Sequence, residues 1–364
     1  MRVIMTGGGT GGHIYPAIAI ADKIKEKHPD AEILFVGTAR GLEKKLVPQS
    51  GYPIKFITVT GFNRKNLLKN IQVLNNLRKG FKEAKAILKE FRPDVVIGTG
   101  GYVCGPVVKM AHSFKIRTFI HEQNAFPGLT NKILERYVEK VFVAFPEARL
   151  NFKKPDKLIV SGNPVRKEFF DADKKACREK FGISDDDFVI LSFGGSQGAA
   201  KINEVMKGAL EKLSQDKKNV IFFVTGNSYY DKILSEVKEQ NIEVNDKIRV
   251  LPYIDDMAKC LVACDLVICR AGALAVSEIM VCGKPAILIP SPNVASNHQF
   301  FNAKALVDKG GAVMIEEKHF NADTLVETIL ALKGDESKLE EMAIASKSAM
   351  GKDAAEIIYN ELGL

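Results

Sequence analysis

The chain has 364 residues, 46% of them hydrophobic, so it is too apolar to be disordered and long enough for two domains. Its formal charge of +8 is unevenly placed: residues 1–163 carry 27 Lys and Arg against 13 Asp and Glu (+14), leaving 25 against 31 (−6) for residues 164–364. A basic first half points to an anionic partner for that half alone; the lack of Trp and of aromatic–basic interleaving speaks against nucleic acid, whereas an anionic membrane face fits.

No secretory signal opens the chain and no apolar run reaches membrane-spanning length, so a cytoplasmic location is expected. Arg2-Val3-Ile4 reads as a strand that enters Gly7-Gly8-Gly9-Thr10-Gly11-Gly12-His13 and then the apolar helix Ala17–Ala21. Strand, glycine loop and helix make an anion cradle, because glycines admit a close backbone and the helix N-terminus offers N–H groups and a positive dipole end. Gly7-x-Gly9-x-x-Gly12 satisfies the dinucleotide spacing, but the second strand, Glu32–Val36, runs into Gly37-Thr38-Ala39-Arg40 with no acid for a ribose. That argues against a nicotinamide enzyme. His13 is more than a phosphate loop requires.

Strand and helix patterns alternate onward, as in a parallel sheet wrapped by helices. Val95-Val96-Ile97 leads to a second glycine loop, Gly98-Thr99-Gly100-Gly101-Tyr102; with the first, Gly9 included, it could clamp a diphosphate through Gly100, Gly101 and Tyr102. Thr118–His121 ends on His121-Glu122-Gln123-Asn124, placed to line a cleft. Between them, residues 65–91 show a helical stripe of Leu67, Ile71, Leu74, Leu77, Phe81, Ala84 and Leu88, flanked by Lys65, Lys69, Arg78, Lys79, Lys82, Lys85 and Lys89. The stripe is expected to be mostly core, with Leu68 and the first lysines facing lipid.

Pro155 and the turn Ser161-Gly162-Asn163-Pro164 mark the domain junction, giving a first domain over 1–163 and a second over 164–350. The closing helix within 351–364 could pack back on the first. In the second domain Phe188–Phe193 enters the loop Gly194-Gly195-Ser196-Gln197-Gly198-Ala199, and further strands are expected at 220–224, 248–251, 266–269 and 286–289. Arg270-Ala271-Gly272 precedes a helix carrying Glu278, whose carboxylate suits a ribose diol. Asn297, Gln299 and Asn302 offer amides to sugar hydroxyls. Six cysteines at 104, 177, 260, 264, 269 and 282 form no metal spacing and read as buried thiols; Asp185-Asp186-Asp187 reads as a solvated turn. Two doubly wound domains with ligands at the C-terminal strand ends follow.

Gly9-Thr10-Gly11-Gly12-His13-x-x-Pro16, Gly98-x-Gly100-Gly101-Tyr102-x-x-Gly105-Pro106, His121-Glu122-Gln123-Asn124, Gly162-Asn163-Pro164-Val165-Arg166, Gly194–Ala199 and Gly272–Glu278 occur in that order over nearly the whole chain. Together they resemble glycosyltransferase family 28, in particular its peripheral-membrane N-acetylglucosaminyltransferases of peptidoglycan synthesis. The resemblance implies a GT-B fold, two Rossmann-like α/β domains facing across a cleft. It implies inverting transfer of GlcNAc from UDP-GlcNAc to the C4 hydroxyl of MurNAc in undecaprenyl-diphospho-MurNAc-pentapeptide, at the inner face of the cell membrane. No cofactor is expected, and no tightly bound metal, because helix N-termini and Ser196 can stabilise the leaving diphosphate and no acidic pair stands on a cleft loop to hold a cation. Donor contacts would fall on Thr10, Gly11, Gly12, Asn124, Arg166, Ser196, Ile254, Ala273, Leu274, Ala275, Val276, Ser277, Glu278 and Gln299. The family often shows tryptophans in its membrane patch; this chain has none.

Inversion in one step needs a base on the face opposite the leaving group. His13 is the first candidate, since a neutral imidazole near pH 7 accepts a proton, with Glu122 and His121 as rivals. Other classes differ in predictable features. A transferase acting on diacylglycerol would lack the His121–Asn124 run, a non-catalytic membrane recruiter would have no use for the helix around Glu278, and a hydride-transfer enzyme would need the missing acid.

Overall fold

The computed structural model describes residues 1–61, 69–195, 197–351 and 353–364; Lys65, Leu67, Leu68, Ser196 and the side chain of Lys69 lie outside the described residues. Two compact units emerge, Met1–Arg166 with Lys352–Leu364, and Lys167–Gly351. The division falls three residues beyond the expected junction, and Arg166 lies with its guanidinium 4.5 Å from the ring centre of Tyr15 in the first unit.

In the first unit seven parallel strands, β1 (Arg2–Thr6), β2 (Glu32–Gly37), β3 (Ile54–Phe56), β4 (Val95–Gly98), β5 (Arg117–Glu122), β6 (Lys140–Val143) and β7 (Leu158–Val160), lie in the order β3-β2-β1-β4-β5-β6-β7. Val3, Ile4, Met5, Val95, Val96 and Ile97 are all buried, because helices cover both faces and a strand between two helix layers has no polar side to alternate with. On one face pack α1 (Gly11–Lys27) and the C-terminal helix Ala354–Leu362, whose Ile358 and Leu362 join Ile14, Ile18, Ile20 and Ile24 in one core. A short α2 (Glu43–Gln49) adds Val47 to that core, whereas α3 (Lys69–Phe91) and α4 (Cys104–Ser113) cover the opposite face with Ala84, Leu88, Val107 and Val108. Each such aliphatic side chain contributes about 1.5–3 kcal/mol. A one-and-a-half-turn α5 (Leu129–Leu134) follows β5.

The second unit has six parallel strands, β8 (Phe188–Phe193), β9 (Asn219–Val224), β10 (Ile248–Leu251), β11 (Leu266–Cys269), β12 (Ala286–Leu288) and β13 (Ala312–Met314), in the order β10-β9-β8-β11-β12-β13. Its helices are α6 (Glu168–Asp171), α7 (Lys174–Lys180), α8 (Ala200–Leu213), α9 (Tyr230–Glu239), α10 (Met257–Ala263), α11 (Ala273–Cys282), α12 (His298–Val307), α13 (Ala322–Lys333) and α14 (Glu336–Ala349). Ile202, Met206 and Leu210 of α8 pack with Leu325 and Ile329 of α13 over Ile190, Ile221 and Ile268 of the sheet.

Three expectations change. The stripe on α3 is core only in its later turns: Ile71 and Leu74 are 66% and 47% exposed, and the early inward position is Val73. Asp187 is not a solvated turn residue. It is buried, accepts from the Ser184 N–H at 2.9 Å and pairs with Lys247 at 2.5 Å, and these partners hold its carboxyl below the usual range although burial alone would raise it. The three-residue strands β3, β7 and β13 were not anticipated. The cysteines are buried thiols save for half-buried Cys282, and burial pushes the Cys104 thiol up to about 12.

Candidate active site

In each unit the strand order reverses beside the first strand, between β1 and β4 and again between β8 and β11. Connections leave in opposite directions there, and a crevice opens at the C-terminal strand ends. The glycine loops named from the sequence sit at these two places.

In the first unit the loops after β1 and β4 touch backbone to backbone. A Cβ on Gly101, which has φ +84°, would stand 2.6 Å from the Gly8 carbonyl oxygen, so only glycine permits the approach. Gly9 was expected on a diphosphate, but its N–H donates instead to Glu43 Oε2 at 2.9 Å, and the Gly100 N–H donates to Cys104 Sγ at 3.2 Å. Glu43 is fully buried on α2, and its other oxygen accepts from the Thr38 N–H at 2.8 Å and the Thr38 hydroxyl at 2.7 Å. No acid ends β2, yet six residues further on a carboxylate returns and is spent on the chain's own loop. Sequence reading passed over it because the Gly9 N–H it holds is 34 positions away. Tyr102 is 59% exposed and lies over Gly61.

Thr10 is the N-cap of α1 with no side-chain cap bond, and Gly11 and Gly12 form its first turn, which contains no acid. His13 follows, half-buried. Its backbone carbonyl accepts from Thr99 Oγ1 at 2.7 Å, and its Nδ1 lies 3.1 Å from the Thr99 carbonyl oxygen and 2.9 Å from Gln123 Oε1. His121 is wholly buried, with Nε2 donating to the Gly162 carbonyl at 2.9 Å; burial pushes its imidazole down to about 4. The run His121–Asn124 is thus split by the strand's alternation. His121 and Gln123 point toward His13, while Glu122 serves the following loop. Glu122 Oε1 accepts from the Asn124 N–H and Asn124 Nδ2, both at 3.0 Å, and Oε2 accepts from the Gly128 N–H at 3.0 Å and Asn131 Nδ2 at 2.9 Å.

In the second unit the loop after β8 is as tight. Gly198 has φ +73°, and a Cβ there would stand 2.2 Å from the Thr225 carbonyl oxygen. Gly272 is the extended N-cap of α11; Ala273, Val276, Ser277 and Glu278 are buried along that helix, and Leu274 and Ala275 are half-buried. Ser277 spends its hydroxyl on the Ala273 carbonyl at 2.9 Å, and buried Asn302 donates to the Ala271 carbonyl at 3.2 Å, tying α12 to this loop. Ile254 is buried just past β10. Gln299 Oε1 accepts from the Ser291 N–H at 2.8 Å, and Arg270 is paired with Glu317. A cleft of about 510 Å³ lies on the β12–β13 side, lined among others by Lys201, Pro290, Asn297, Phe300, Glu316 and Lys318; of the residues expected to meet the sugar, Asn297 lines it, whereas Gln299 and Glu278 do not. No group of three or more His, Cys, Asp or Glu among the described residues is arranged to hold a metal ion.

Two parallel-sheet units, each with a glycine loop at its switch point, one with a histidine and the other with a buried glutamate there, are matched over both units by the family models of a glycosyltransferase, and that is the class of the chain. The chain belongs to glycosyltransferase family 28: residues 3–143 match its N-terminal domain and residues 189–358 its C-terminal domain. It is 48% identical over its full length, covering 98% of the relative, to the UDP-N-acetylglucosamine–N-acetylmuramyl-(pentapeptide) pyrophosphoryl-undecaprenol N-acetylglucosamine transferase of Alkaliphilus metalliredigens. The crystal structure of Acinetobacter baumannii MurG superposes with a TM-score of 0.78 at 29% identity, covering 100% of this chain and 99% of that one. A UDP-GlcNAc 2-epimerase from Neisseria meningitidis shares the fold with a TM-score of 0.73 at 15% identity, covering 100% and 99%.

Proposed function

We infer that the chain transfers GlcNAc from UDP-GlcNAc to the C4 hydroxyl of MurNAc in undecaprenyl-diphospho-MurNAc-pentapeptide, with inversion at the anomeric carbon. The observation that carries this reading is the match to relatives of that activity along the whole chain, with both glycine loops folded at switch points. Incubation with radiolabelled UDP-GlcNAc and a short-chain lipid acceptor tests it. Labelled lipid is expected; release of free or epimerised sugar without labelled lipid contradicts it.

The second unit holds the donor. Helix N-termini at Ala200 and Ala273 favour the diphosphate, and the Glu278 carboxylate accepts from the ribose hydroxyls. Gln299, Ile254 and residues 273–277 complete that surface, with Ser196 on the diphosphate. From the first unit, Thr10, Gly11, Gly12, Asn124 and Arg166 meet the donor, and Gly101 and Tyr102 meet the acceptor diphosphate. His13 is the base. The acceptor hydroxyl gives its proton to the imidazole as its oxygen bonds to the anomeric carbon, and UDP leaves with the electron pair of the broken C–O bond. Glu122 is the weaker candidate. A carboxylate has about four acceptor positions, and four N–H donors already occupy them, so it anchors the loop that carries Asn124.

Among the described residues no helix is long and apolar enough to cross a membrane. Attachment is peripheral, through α3, where exposed Ile71 and Leu74 stand on the helix that carries exposed Arg78, Lys79, Lys82 and Lys85.

A further inference from the structure

Four polar groups from three segments meet behind His13: the Thr99 carbonyl, the His121 and Gln123 side chains, and the Gly162 carbonyl. Gln123 is 1% exposed, and one end of its amide lies 2.7 Å from the Thr99 carbonyl oxygen and 3.2 Å from the His121 carbonyl oxygen. Carbonyl oxygens only accept, so that end is the NH₂ and the other end is Oε1. Oε1 sits 2.9 Å from His13 Nδ1, and the Thr99 carbonyl oxygen lies 3.1 Å from the same nitrogen. Two acceptors face one imidazole nitrogen, which must therefore carry the hydrogen.

His121 closes the chain of bonds. Its Nε2 faces the Gly162 carbonyl and is the protonated nitrogen, so in the neutral ring Nδ1 is bare and accepts from Gln123 Nε2 at 2.9 Å. Every member is satisfied with both imidazoles neutral. The polarity runs one way, from His13 Nδ1–H to Gln123 Oε1, from Gln123 Nε2–H to His121 Nδ1, and from His121 Nε2–H to the Gly162 carbonyl. Two further contacts hold the His13 side chain in place: Thr99 Oγ1 fixes its backbone carbonyl, and its Nδ1 would lie 2.7 Å from a Cβ on Gly100.

We propose that Gln123, set by His121 and the Gly162 carbonyl, is a positioning residue that holds neutral His13 in the Nδ1–H tautomer and leaves Nε2 as the proton acceptor. This rests on the reading of His13 as base. Free imidazole has no such fixed assignment, and a ring with its hydrogen on Nε2 could not take the acceptor's proton there. Elsewhere a carboxylate performs this orienting task; here an amide does so without adding a charge beside the site.

Nitrogen-15 histidine labelling and long-range ¹H–¹⁵N correlation at a pH where His13 is neutral read the tautomer directly. In the wild-type protein His13 should show a protonated Nδ1 and a bare Nε2. Gln123→Met should mix the tautomers and lower kcat about tenfold or more, with the KM for UDP-GlcNAc little changed. A wild-type His13 with its hydrogen on Nε2 overturns the proposal, and that observation needs no variant to fold; so does a Gln123→Met protein whose His13 stays wholly Nδ1–H. If His13 is Nδ1–H and depends on Gln123, yet His13→Ala keeps its kcat, the positioning stands and the base assignment falls.

Discussion

After β1 the chain turns through glycines and then fills the space behind them with titratable side chains. Glu43 takes the Gly9 N–H, His13 opens the helix, and His121 lies buried behind it. After β8 it makes a turn just as tight, with Gly198 against the Thr225 carbonyl, but the surroundings are Asn203 and Asn302 amides, alanines and one glutamate a turn and a half into α11. The same strand–glycine–helix unit therefore serves two chemistries. Under the proposed assignment the first unit mounts the acid–base group beside a loop whose Gly9 N–H is taken by Glu43, and the second offers the donor diphosphate the N-termini of α8 and α11. A glycine loop alone does not tell the two apart, but the partners of its N–H groups do.

The largest effect should follow from removing the internal partner. Glu43→Ala leaves the Gly9 N–H and both Thr38 donors without their acceptor in a buried place, and we expect a loss of about 2–4 kcal/mol in denaturant unfolding. A loss below about 0.5 kcal/mol would mean the first loop does not depend on the carboxylate. Next comes pH. Burial holds His121 at about 4 against an ordinary value of 6.5, so the folded state keeps it neutral where the unfolded chain protonates it. Its contribution is fully present above pH 6.5 and is lost as pH falls from there to about 4, a change of about 3 kcal/mol. Unfolding free energies of wild type and His121→Asn, followed over that window, should differ in slope; parallel curves would mean His121 is protonated in the fold.

Glu278→Ala should weaken UDP-GlcNAc binding about ten- to hundredfold, or ~1.5–3 kcal/mol, while leaving the first unit's chemistry untouched. A titration like that of wild type would remove Glu278 from the donor site. The smallest effect concerns the membrane. Each of Lys79, Lys82 and Lys85 changed to Gln should cost ~1 kcal/mol of binding to phosphatidylglycerol vesicles at low salt, and equal binding to phosphatidylcholine would contradict the electrostatic part.

What the sequence disclosed follows from how the information is stored. Val95–Gly98 is an unbroken apolar run and Phe188–Phe193 is interrupted only by Ser192, because both faces are covered, and the glycine loops after them are local patterns. β3 is three residues with Lys55 in its centre, and no periodicity can be read over that length. On α3 the spacing of Ile71 and Leu74 fits a helical stripe, but which side is covered depends on what packs there, and only from Leu77 onward does the sheet side claim the stripe. The site divides the same way. His13 and the run His121–Asn124 stood out as residue types. That Glu122 serves a loop while its neighbour Gln123 orients a histidine 110 positions away is set by strand alternation and by the meeting of β1, β4 and β5. Glu43 carried no local signal at all.

The division of labour between the two units is tested most directly by His13→Ala, measured for kcat at saturating lipid acceptor and for UDP-GlcNAc affinity in the same preparation. A base contributes typically ~10²–10⁴ in rate, so kcat should fall at least about a hundredfold while the donor Kd stays within about twofold of wild type. Near-normal kcat, or a loss confined to donor binding, would contradict the account.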